Sequence, residues 1–183
     1  MDLWPPRAAL TSGALFAEQG RKTHPGFTGI TWPTADVDKA INDVGQLGFY
    51  GYETFGHAQS QKDSEGNLEE LFGRNRVSLI SGYCTINLAD QTRRTDELAK
   101  AVTGARLIEK YKGSVFVLGP NQVKWDGYDH ASDKANIVGM VNDTAHAVAV
   151  EGLTPVFNQH TGTCVESRDE TYATLDTARR DRS

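Results

Sequence analysis

From residue 27 onward the sequence alternates short apolar runs with amphipathic stretches, five times over. The runs are "FTGITW" (27–32), "FYGYETF" (49–55), "RVSLISGYCTINL" (76–88), "SVFVLG" (114–119) and "LTPVFNQ" (153–159). They are short, rich in β-branched and aromatic residues, and flanked by turn-forming residues, as buried strands are. In "PTADVDKAINDVGQLG" (33–48), Val37, Ile41, Val44 and Leu47 recur every three or four residues, so one helical face is apolar. "NLEELFGRN" (67–75) reads as a shorter helix closed by Gly73. "QTRRTDELAKAVTGARLIEKYKG" (91–113) carries a stripe of Leu98, Val102, Ala105, Ile108 and Tyr111. "SDKANIVGMVNDTAHAVAVEG" (132–152) runs from Ser132 at a capping position to Gly152 at a stop. "SRDETYATLDTARR" (167–180) opens on Ser167 with Glu170 three residues later, a capping box.

Strands alternating with helices predict an α/β protein with a parallel sheet. Runs this apolar suit a sheet covered on both faces, joined by right-handed crossovers. A doubly wound open sheet and a (β/α)8 barrel both fit. The first strand leads into "TWPTADVD", which is not G-x-G-x-x-G, and this argues against dinucleotide binding. A closed barrel takes ~250 residues, and this chain of 183 supplies about five of the eight units. The expectation is therefore a partial (β/α)8 barrel of about five parallel units over 27–183. Residues 1–26 form a leader, partly disordered, whose "AALTSGALFA" is apolar but lacks the strongly basic start of a secretory signal.

Net charge is −5 and the basic residues form no stripe, so the electrostatic footprint of a nucleic-acid binder is missing. No apolar run approaches the ~20 residues that span a bilayer. Cys84 and Cys164 are far apart and in no paired motif, which argues against a thiolate zinc cage. Reduced cysteines suit a cytoplasmic protein.

In parallel α/β folds the site lies at the C-terminal ends of the strands. That rule selects Trp32, Glu53, Asn87, Asn121, Asn158, His160 and Glu166. Each has a plainer reading as well. Trp32 packs at the mouth or walls a pocket. Glu53, a carboxylate in "GYETFG", is a site residue or a salt-bridge partner, since burying it alone is costly. Asn87 and Asn121 suit loop hydrogen bonding, and His24, His57 and His130 fall in loops. His160 and Glu166 share one strand-to-helix turn, "NQHTGTCVES". Imidazole and carboxylate together suit a divalent ion such as Mn2+, Co2+, Mg2+ or Zn2+, or a general base with its orienting partner. The same turn also works as a plain start to a helix, with Thr161 and Thr163 bonding the backbone.

"TWPTADVDKAINDVGQLGFYGYETFG" resembles the opening of xylose isomerase-like TIM-barrel proteins, the sugar phosphate isomerase/epimerase group. "VFNQHTGTCVESRDETYATLD" is similar to the fifth unit of its inosose dehydratase-like branch, roughly H-x-H-x-G-T-x-x-E/Q. His160, Gly162, Thr163 and Glu166 match that pattern, and Asn158 replaces its first histidine. The resemblance covers residues 27–176 and implies a divalent metal at the barrel mouth that polarises a substrate oxygen while a side chain moves a proton on the next carbon. It implies Glu166 as metal ligand and catalytic residue and Glu53 as a second catalytic residue. His160, Asn158, Trp32 and Asn121 are then the substrate contacts. The implied substrate is a small sugar, sugar phosphate or polyol. Alternatives are a dehydratase-like lyase and a non-catalytic sugar-binding or assembly remnant.

In that group further units supply most of the metal ligands, whereas "DTARRDRS" abandons the apolar periodicity. The expectation is a truncated barrel that binds metal weakly, turns over little, and self-associates through exposed strand edges.

Overall fold

The computed structural model describes residues 26–28, 37–121 and 123–180. Residues 1–25 of the leader and Trp32 lie outside them, while Gly26, the leader's last residue, opens the first strand. The described elements alternate as β1 (Gly26–Thr28), α1 (Val37–Gln46), β2 (Gly51–Phe55), α2 (Gly56–Ser64) and α3 (Leu68–Asn75). Then come β3 (Ser78–Ile86), α4 (Arg94–Lys110), β4 (Val115–Pro120), α5 (His130–Val150), β5 (Thr154–Phe157) and α6 (Arg168–Arg180). Five strands form one sheet in the order β1-β2-β3-β4-β5, each pairing its neighbour in parallel. Sequential parallel order is what a barrel wall requires, and it replaces the doubly wound alternative, in which the strand order reverses.

Strand alternation divides the sheet into two faces. Leu79, Cys84 and Ile86 of β3, Phe116 and Leu118 of β4, and Phe157 of β5 pack into the large helix-side core. Tyr83, Val115, Val117 and Val156 form a separate buried cluster. Pairing Tyr83 to Val117 and Val117 to Val156 sets that cluster on the opposite, inner face.

The β2–β3 register carries an irregularity. Tyr52 pairs with Leu79, and the next residue, Glu53, pairs with Ser81, so Ile80 is skipped. An extra residue in one strand re-aims the side chains beyond it. Gly51 makes room for it, because a Cβ there would stand 2.7 Å from Ile80 Cγ2.

Several boundaries depart from expectation for local reasons. α1 ends at Gln46, Gly48 adopts φ +79°, and Leu47 is turned out to 73% exposure instead of joining the stripe. α4 begins at Arg94 after a 3-10 turn at Gln91–Arg93. It buries Glu97, Ala101, Ala105 and Ile108, while Leu98 and Tyr111 pack on the flank. Glu97 is only 2% exposed and ion-paired to Lys100 and Arg93. α5 is capped by Asp129, whose carboxylate accepts from the Ala131 and Ser132 amides at 3.3 and 3.1 Å, so Ser132 lies inside the helix. α2 has no apolar stripe and is tied down by charge: Asp63 accepts from Lys110 and Tyr111, and Lys62 pairs with Asp38 and Glu65 at 2.9 Å. No described helix is long and apolar enough to cross a membrane.

Candidate functional site

The skipped Ile80 brings Ser81 opposite Glu53, and the Ser81 hydroxyl donates to the Glu53 carboxylate at 2.5 Å. Glu53 is 7% exposed and lies mid-strand, the third of five residues in β2, not at its end. Tyr83, two residues beyond Ser81, lies on the same inner face. Its ring leans diagonally onto β4, where a Cβ on Gly119 would overlap the phenol oxygen. There the Tyr83 phenol hydrogen-bonds the Asn158 side chain. Burial pushes the phenol upward in pKa, the Asn158 bond opposes this, and the nearby Glu53 charge adds to it. Asn158 is itself fixed by its backbone amide, which donates to Leu118 O at 2.9 Å just past β5.

Glu53–Ser81 and Tyr83–Asn158 are therefore two neighbouring polar pairs on the inner face, the Glu53 charge acting on Tyr83, whose phenol covers Gly119. A buried carboxylate can accept a proton, and a phenol and an amide can hydrogen-bond a carbonyl or hydroxyl oxygen. Glu53 and Asn158 come from the sequence reading. Ser81, Tyr83 and Gly119 do not, although the polar, glycine-containing middle of "RVSLISGYCTINL" marks Ser81 and Tyr83 at strand spacing.

A second group sits where the loops after β4 and β5 meet. Val123 bridges Thr163, and the Lys124 amide donates to Gly162 O at 3.0 Å. Lys124 Nζ lies 3.1 Å from Glu166 Oε2, and 3.1 and 3.3 Å from the two oxygens of Glu170. Glu170 also accepts the Glu166 and Ser167 amides at 2.9 and 2.8 Å, while Ser167 Oγ accepts the Glu170 amide at 3.2 Å, completing the capping box. Glu166 is held below the usual carboxylate range, first by the Gly162 backbone and then by Lys124. The Lys124 ammonium is raised in turn, chiefly by Glu166. Tyr128 donates to Cys164 O and meets Trp125 edge-on at 4.7 Å.

The remaining sequence candidates have local partners. His160 is exposed, with Nδ1 3.1 Å from Thr161 O. Its carbonyl accepts from Thr163 Oγ1 at 2.7 Å and Gly162 turns the chain at φ +78°, which is the plain start to a helix. Asn121 is exposed, its amide donating to Ile86 O at 3.1 Å. Asn87 Oδ1 accepts the Asp90 amide at 3.0 Å. His57 and His130 are helical and not in loops, and His130 Nε2 lies 3.0 Å from Thr174 Oγ1.

A divalent metal at Glu166 does not fit the described residues. Glu166 is already ion-paired with Lys124, and no group of three or more His, Cys, Asp or Glu side chains among them is placed to hold an ion.

No protein-family model matches the sequence, and no curated protein matches it either. Solved structures do match in fold. A xylose isomerase-like TIM barrel protein from Mycobacterium smegmatis in complex with magnesium superposes with TM-score 0.61 at 13% identity, over 81% of this chain and 54% of that one. An IOLI protein with a bound zinc atom gives 0.69 at 12%, over 86% and 60%. A D-psicose 3-epimerase determined in the presence of D-fructose gives 0.65 at 16%, over 85% and 60%. The chain thus spans between 54% and 60% of the length of these structures. Five sequential parallel strands, each followed by helix, and these superpositions together give the chain a TIM-barrel fold like that of these structures, present as part of a (β/α)8 barrel.

Proposed function

We propose that this chain binds a small sugar, sugar phosphate or polyol bearing a carbonyl, and handles it in the manner of an isomerase or epimerase. The supporting observation is the Glu53 carboxylate, buried on the inner face against Ser81 and beside Tyr83. A structural neighbour with this fold is a D-psicose 3-epimerase. In the proposed chemistry Glu53 takes the proton from the carbon next to the carbonyl and returns it, while Tyr83 and Asn158 hydrogen-bond the oxygen that gains charge. No step is assigned to a metal. Glu166 offers one carboxylate, and Lys124 engages it; turnover by this chain alone is low.

The test is solvent exchange. Incubated with D-fructose in D2O, the protein exchanges the hydrogen at the carbon next to the carbonyl slowly, and Glu53→Gln, still folded by circular dichroism, does not. Equal exchange in both proteins contradicts the role of Glu53.

A second reading, non-catalytic sugar binding with self-association, is supported by the position of β1 and β5 at the edges of the sheet. Light scattering checks it, since edge pairing between copies makes the apparent mass rise with concentration. The free, buried Cys84 and Cys164 are compatible with the proposed cytoplasmic location.

A further inference from the structure

Lys124 engages the loop after β5 by both its backbone and its side chain. The amide bond to Gly162 O and the Val123–Thr163 bridge fix the start of the side chain against that loop. The ammonium then spans Glu166 and Glu170 at 3.1–3.3 Å and lies 5.8 Å from the centre of the Tyr128 ring. A tethered lysine loses less freedom on forming such pairs than a free one. It also serves two carboxylates that would otherwise repel each other.

We infer that Lys124 is the built-in counter-ion of the strand-five loop, and that its ammonium keeps a divalent cation off Glu166. The positive charge that a metal would bring to this rim is already supplied by the chain, from the neighbouring loop. The wild-type protein is therefore indifferent to Mn2+ at this rim, and removing the lysine charge leaves two carboxylates that a hard divalent ion can bridge. The inference rests on the Lys124 geometry and not on sugar chemistry, so sugar exchange and metal response fail independently.

The experiment is a thermal-shift titration of the whole chain with MnCl2 in wild type, Lys124→Met, and Lys124→Met combined with Glu166→Gln. Wild type shows no Mn2+-dependent change in Tm. Lys124→Met melts lower without metal and gains about 3 °C or more with it, and the double variant loses that gain. A wild-type rise that Glu166→Gln removes overturns the inference, as does a folded Lys124→Met protein with no gain. Should Lys124→Met not fold, paramagnetic broadening in the wild type decides. Amide resonances of 162–167 stay sharp in Mn2+ if Lys124 holds the position, and selective broadening there overturns it.

Discussion

Glu53 pairs with Ser81 because the β2–β3 register skips Ile80, and the Ser81 hydroxyl donates to its carboxylate. The inner-face cluster depends on that one-residue irregularity. Gly51→Ala places a methyl against Ile80, and the expected cost is about 1–3 kcal/mol in urea unfolding. The loss is smaller in a Gly51→Ala/Ile80→Ala background than the two single losses predict, a coupling read from a double-mutant cycle.

The Tyr83 ring covers Gly119, where a Cβ would stand 2.0 Å from the phenol oxygen. Gly119→Ala therefore displaces the phenol from Asn158, at about 1–3 kcal/mol. Ultraviolet titration of the tyrosines distinguishes displacement from simple destabilisation. One phenol that ionises above the ordinary range shifts in Gly119→Ala and is lost in Tyr83→Phe.

Most of the architecture is legible in the sequence because it rests on period. Val37, Ile41 and Val44 mark the buried face of α1, and "SVFVLG" marks β4, because burial repeats with the geometry of each element. The capping box at Ser167 and Glu170 is legible because it is a local bond between residues three apart. α2 is not, since ion pairs to Asp38 and Lys110 and a hydrogen bond from Tyr111 hold it and no stripe announces it. The site follows the same division. Glu53 and Asn158 are visible as polar residues in apolar strands, but the Ser81 partnership needs the register, and Lys124 meets Glu166 only once two loops are folded together.

Acid should release the strand-five loop in a predictable window. Burial works to raise the Glu170 carboxyl, but the Ser167 and Glu166 amides and Lys124 outweigh it and bring it down to about 2. A folded value below the ordinary ~4.3 stabilises fully above that pH, and the contribution is lost as pH falls toward the folded value. Solvent screening keeps the amount below the ~3 kcal/mol that the full shift would give. Wild type should exceed Glu170→Gln in stability at neutral pH, with the difference shrinking between about pH 4.5 and 2 in urea titrations.

Burial pushes the thiols of both Cys84 and Cys164 up to about 11. Little thiolate exists at neutral pH, so both should resist iodoacetamide while the chain is folded. Labelling should follow the denaturant dependence of unfolding, which mass spectrometry reads as two added groups appearing together.

In the proposed function a sugar meets the protein at the inner face of the sheet. The most direct test is a 1H–15N titration of the uniformly labelled chain with D-fructose. The expected result is saturable shifts concentrated at the amides of Tyr83, Gly119 and Asn158, weakened in Glu53→Gln. Shifts absent at those three, or spread evenly over the helices, would contradict it.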